Sequence, residues 1–184
     1  MLHRFLSALL GYWEGCLDYW PIFLIPCLIG LAYNWKTTSV WHELGKLVFA
    51  FWCGWLLRMT VSLEDIWADL LAGQLQIRGG QCFVPGRDIL PILRYGSSWT
   101  ILVNLGGNLG FFLPFGFLAA LLWPKLRDWR WSLLAGAGFS CLIETLQLFT
   151  FRVTSIDDVI LNALGTLMGC WIYHVLHYLT GEKA

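Results

Sequence analysis

The chain has 184 residues, of which 58% are apolar and only 13% carry a formal charge, about half the charged share of an average soluble domain. Twelve Lys and Arg balance twelve Asp and Glu, and no basic stripe or tail stands out. Twenty-four charges cannot coat a water-soluble domain of this size, and without a basic face nucleic acid is excluded as a partner. The composition is that of an integral membrane protein.

At the start, the run from Leu2 to Trp13 follows His3 and Arg4 and imitates a signal peptide. Glu14 and Asp18 interrupt it and no small-x-small site follows, so residues 1–16 read as an interfacial helix or as an extension of the first span. A bilayer core needs about 20 mostly apolar residues in helix. Five stretches qualify: 17–35, broken by Pro21 and Pro26, then 44–62, 100–123, 131–149 and 159–179. The expected fold class is therefore all-α, a polytopic transmembrane helix bundle of about five spans forming one membrane domain, 1–184. Its one long outer connection, 63–99, opens with Glu64, Asp65 and Asp69 as an amphipathic surface helix. It continues as a Gly/Pro-rich ordered or re-entrant loop through Gly79-Gly80, Pro85-Gly86 and Pro91. Trp35, Trp41, Trp99, Trp123, Trp129 and Trp131 mark the span margins as an aromatic belt. The connection 124–130 holds Lys125, Arg127 and Arg130, which places it in the cytoplasm and the 63–99 stretch outside. Six scattered cysteines without paired spacing read as reduced packing residues.

Polar groups within spans are costly and face the bundle interior, so their depth carries the functional signal. At 1.5 Å per residue, Glu144 lies roughly 7 to 8 Å below the outer end of the fourth span, with Gln147 one turn nearer the surface. Asn104 and Asn108 share a face of the third span at roughly 6 and 12 Å depth. Asn162 lies one turn into the fifth span, Arg58 near the outer end of the second, and Arg152, Asp157 and Asp158 in the loop between the last two spans. These side chains converge on one outward-facing pocket. Within it Arg58 is the natural partner for Glu144, and Arg152 with Asp157 reads first as a loop-ordering salt bridge. The same groups also fit a purely structural hydrogen-bonding network. Gly106, Gly107, Gly110 and Gly116 carry packing beside Pro114, which is expected to bend the third span, and Gly165 and Gly169 form a small-xxx-small face on the fifth.

Cys170, His174 and His177 share one helical face at the other end, a geometry that permits a metal but completes no ligand signature. No metal or other cofactor is therefore expected. Nucleophile elbow, zincin, P-loop and dinucleotide motifs are all missing, and Ser140 and Cys141 have no histidine at their depth.

The order Asn108-Leu-Gly-Phe-Phe-Leu-Pro114-Phe-Gly116, then Glu144-x-x-Gln147, Arg152, Ile156-Asp157-Asp158, Asn162, Gly165 and Gly169, resembles the VanZ-like family of membrane proteins over residues 104–171. The departure lies upstream. Family members often show Asn-Leu-hydrophobic-Pro-Phe before the third span, where this chain reads Gln81-Cys-Phe-Val-Pro85-Gly-Arg-Asp88. The resemblance implies a multi-pass protein of the bacterial inner membrane, in a family named for a protein that confers low-level teicoplanin resistance. The family's characteristic positions fall on Asn108, Pro114, Glu144, Gln147, Arg152, Asp157, Asp158 and Asn162.

Three functions fit. In the first, the pocket binds an envelope lipid headgroup, a lipid-linked envelope precursor or a lipoglycopeptide, with Arg58 and Arg152 attracting phosphate or carboxylate and Asn104, Asn108, Gln147 and Asn162 orienting it. In the second, Glu144 works with Asp157 or Asp158 as acid and base on a lipid-linked substrate. The third is a structural or assembly subunit.

Overall fold

The computed structural model describes residues 20–34 and 39–181. The expectations for residues 1–16, Trp35 and the first residues of the first span lie outside them. Seven helices follow one another among the described residues: α1 (Trp20–Asn34), α2 (Val40–Thr60), α3 (Leu63–Leu71), α4 (Ile89–Tyr95), α5 (Ser98–Leu122), α6 (Trp129–Gln147) and α7 (Ile156–Thr180). The chain divides into two compact units, Met1–Leu63 and Glu64–Ala184.

In the first unit α1 packs on α2. Glu43, buried at the start of α2, is neutralised by Lys46 one turn on, at 2.7 Å, and Trp52 packs on Trp55 with ring centroids 4.9 Å apart. Arg58 lies in the last turn of α2.

The second unit is built on α5, α6 and α7. Gly165 and Gly169 meet the backbone of α5 at Leu109 and Leu113, and Gly116 of α5 meets the backbone of Thr166. Residue numbers rise together in these contacts, so α5 and α7 run parallel. Gly136 and Ser140 of α6 meet Thr166 and Asn162 in the reverse order, so α6 runs antiparallel to both. The small-xxx-small face on α7 is thus where two helix backbones touch, leaving no room for a Cβ. Gly110, by contrast, faces open space.

The architecture is all-α, but about five spans are not confirmed. By length and hydropathy α5 and α7, each of 25 residues, can cross a bilayer, and α2 taken together with α3 would make a third. The span expected over 17–35 lies partly outside the described residues. In α6 a buried stripe of Ser132, Gly136, Ser140, Glu144 and Gln147 lowers the apolar content that the sequence alone attributes to a span.

Two helix starts also move. Ser97 accepts the Thr100 N–H and starts α5 at Ser98, and Ser155 accepts the Asp157 N–H at 3.2 Å and starts α7 at Ile156. Asp157 and Asp158 therefore occupy a first helical turn, where carboxylates complement the helix dipole, rather than a loop. The irregular turn in α5 is a π-helical one, Leu102–Gly106, ahead of Pro114. The connection between α3 and α5 is ordered by a two-residue parallel ladder that pairs Gln81 with Thr154 and Cys82 with Ser155.

Gly169→Leu is expected to lower the thermal midpoint of the detergent-purified protein steeply, by the equivalent of about 3 kcal/mol or more. Gly110→Leu should leave it within a few degrees.

Candidate functional site

Ser155 sits where the loop before α4, the end of α6 and the start of α7 meet. Its backbone N–H donates to Glu144 Oε2 at 2.8 Å, and its hydroxyl donates to Asp88 Oδ2 at 2.5 Å while accepting from the Asp157 N–H. Asp157 is 1% exposed. Its Oδ1 accepts the N–H of Gly86 at 2.6 Å, and its Oδ2 accepts those of Asp88 at 2.9 Å and Ile89 at 3.1 Å. Three backbone donors need an acceptor with several lone pairs and no hydrogen of its own, which an ionised carboxylate provides. Gly86 can present its N–H there because it adopts φ +82°, a backbone conformation open to glycine.

This anchored loop forms one wall of a cavity of about 390 Å³. Opposite it stand the π-helical turn of α5 and the start of α7. Asn108 Nδ2 donates to Asp158 Oδ1 at 2.6 Å, tying α5 to α7, while Asn104 Nδ2 donates to Thr100 O within its own helix. The polar lining comprises Asp88, Asn104, Asn108, Ser155, Asp157 and Asp158, and no cation contributes to it. Ile89, Ile92, Val103, Leu105, Val153 and Leu161 supply its apolar lining. A π turn at a cavity wall recurs at functional sites because it redirects side chains that a regular helix would stack elsewhere.

A second cavity of about 180 Å³ lies beside Glu144, Cys141, Thr145 and Phe83, with Ser155 common to both linings. Thr154 Oγ1 donates to Glu144 O at 3.0 Å, so Glu144 binds the end of α6 to the residues preceding α7 through its carbonyl as well as its carboxylate.

Of the nine binding residues expected from sequence, Asn104, Asn108, Asp157 and Asp158 line the larger cavity and Glu144 the smaller. Gln147 and Asn162 are buried but line neither. Gln147 O accepts the Thr150 hydroxyl, and Asn162 Nδ2 donates to Ser140 Oγ at 2.8 Å. Arg152 is exposed and lines neither cavity; the salt bridge expected between it and Asp157 is replaced by the three backbone donors. Arg58 belongs to the first unit, and the Glu144 carboxylate is met by the Ser155 N–H. At the far end, Cys170 Sγ and His174 Nε2 both donate to Arg127 O, at 3.5 and 2.8 Å, and His177 stacks on Tyr173. No group of three His, Cys, Asp or Glu side chains among the described residues is placed to hold a metal ion.

Asp88 and Ser155 were not anticipated as site residues. Ser155 carried a readable signal, since a serine two residues before an acidic pair and an apolar run is a helix N-cap signature. Asp88 carried none within its Gly/Pro-rich loop.

Together the fold and the cavity define a helical membrane protein with a carboxylate- and amide-lined site at one end of the three long helices of its second unit. The family model described as VanZ/LLP1 matches residues 49–177, and the chain belongs to that family. No curated protein and no solved structure matches it.

Asp157→Asn keeps the size of the side chain but sets an NH₂ group against backbone N–H donors. It is expected to cost about 2–4 kcal/mol of stability, seen as a lower thermal midpoint and as new proteolytic cleavage between residues 83 and 90. Asp158→Asn should leave that segment resistant.

Proposed function

We propose that this VanZ/LLP1 protein binds the polar end of an amphipathic envelope molecule in the larger cavity, and that it engages the part of that molecule which is cationic or rich in hydrogen-bond donors. The observation that carries this reading is the mixed lining. Asp88, Asp158, Asn104 and Asn108 share the walls with Ile89, Ile92, Val103, Leu105, Val153 and Leu161. Such a lining suits a ligand that has both a charged head and hydrocarbon.

The hydrogen-bond inventory favours an ammonium over a phosphate. Asp157 is saturated by backbone donors, Ser155 spends its hydroxyl on Asp88, and one amide hydrogen of each asparagine is engaged. The remaining carboxylate oxygens and amide carbonyls are acceptors. An anionic group would meet three carboxylates in this space and no compensating cation. An envelope lipid with an amine headgroup, an amine-bearing lipid-linked precursor or a lipoglycopeptide has the required chemistry. Sequestering such a molecule at a bacterial inner membrane would lower glycopeptide susceptibility. Acid–base chemistry is less well served, because Asp157 is fully occupied and Glu144 faces the other cavity.

The test is titration of the purified full chain, in non-ionic detergent, with dodecylammonium and with dodecanoate. Wild type is expected to bind the cation at least about tenfold more tightly, with Asp158→Asn removing most of the difference. Equal binding of the two probes, or an unchanged preference in the variant, would overturn the reading.

A further inference from the structure

At the opposite end of the same unit the chain between α5 and α6 makes a 3₁₀ turn, Pro124–Arg127, followed directly by the N-cap of α6. Three cations fall within six residues here: Lys125, Arg127 and Arg130. None of them has an ion pair among the described residues. The one acid in the turn, Asp128, spends its carboxylate on the Arg130 N–H at 2.9 Å as the helix cap.

The turn is also held firmly in place. His174 Nε2 and Cys170 Sγ donate to Arg127 O, and Arg127 Nε donates to Ala120 O at 3.4 Å, so the turn is fastened to α7 through its backbone and to α5 through the Arg127 side chain. Each cationic head lies against a ring. Lys125 Nζ is 3.8 Å from the Trp131 ring centroid, Arg130 Cζ is 5.5 Å from that of Trp129, and Arg127 Cζ is 5.4 Å from that of Tyr173. A ring under one side of an ammonium or guanidinium restricts its rotamers and leaves the remaining N–H groups for an outside acceptor. Trp129 and Trp131 are themselves 58% and 45% exposed, where a membrane protein presents tryptophan to the headgroup layer.

We propose that this turn is a binding site for the phosphate of an anionic phospholipid. Three cations against one capping carboxylate leave a net positive patch of pre-set side chains with no ion pair among the described residues, and the flanking tryptophans and apolar helices place it at the depth of lipid phosphates rather than in bulk solvent. This site is separate from the acidic cavity and carries the opposite charge.

The experiment is native mass spectrometry of the full chain in mild detergent, with added phosphatidylglycerol, phosphatidylcholine or inorganic phosphate, alongside thermal midpoints under the same conditions. Wild type is expected to retain phosphatidylglycerol in preference to phosphatidylcholine and to be stabilised by it. Lys125→Gln and Arg130→Gln, whose side chains are exposed and outside the core, should each lower retention about fivefold, and Arg94→Gln, on the far-end helix α4, should not. A folded Lys125→Gln/Arg130→Gln double variant that retains the lipid undiminished would overturn the proposal. So would equal retention of the two lipids, or displacement of phosphatidylglycerol by millimolar inorganic phosphate, which would mark a free-phosphate site.

Discussion

One buried carboxylate organises the candidate site. Asp157 is the second residue of α7, and its two oxygens gather the N–H groups of Gly86, Asp88 and Ile89 from a loop some seventy positions earlier in the chain. Without that acceptor the loop would carry three unsatisfied donors into a low-dielectric setting, each costing on the order of 1–3 kcal/mol. With it, Asp88 is delivered to Ser155, α4 begins with its first amide satisfied, and the wall of the larger cavity is fixed. The short parallel ladder between Gln81–Cys82 and Thr154–Ser155 fastens the same loop a few residues upstream. Gly79 lies tightly against the carbonyls of Gln147, Thr150 and Arg152, where any side chain would collide.

Much of this was legible in the sequence because it rests on side-chain chemistry with helical spacing. Asn108, as a polar group in a span, and Asp158, as a loop residue, are expected at one shared pocket, and they meet there across α5 and α7. Gly165 and Gly169 announced a close helix contact by their spacing, and the contact exists. What stayed hidden depends on backbone groups, which leave no residue-type signature. Nothing in Pro85-Gly86-Arg87-Asp88 says that three of its neighbouring amides converge on a distant aspartate, so Asp157 was assigned a side-chain partner, Arg152, that it does not use. About five spans are not confirmed among the described residues, in part for a related reason. Averaged hydropathy cannot distinguish a helix facing lipid from α6, whose Ser132, Ser140, Glu144 and Gln147 are turned inward onto a buried face.

The second unit is electrostatically polarised along its length. Carboxylates and amide oxygens collect where α5 and α7 begin, and cations that form no ion pair among the described residues collect at the turn where α5 ends and α6 begins. Between the two lies a polar but uncharged core, in which Asn162 donates to Ser140 and Thr166 donates to the Asn162 carbonyl. Net charge, which is zero for the whole chain, conceals this separation. The acidic end belongs to a cavity and the basic end to a surface.

The anchoring of the loop by Asp157 is tested most directly by amide hydrogen exchange of the wild-type protein in detergent. Gly86, Asp88 and Ile89 are expected to exchange as slowly as the buried turns of α7 near Asn162 and Thr166. Exchange at those three amides as fast as that of the exposed residues 74–77 would contradict the account, because the cavity would then have no fixed wall.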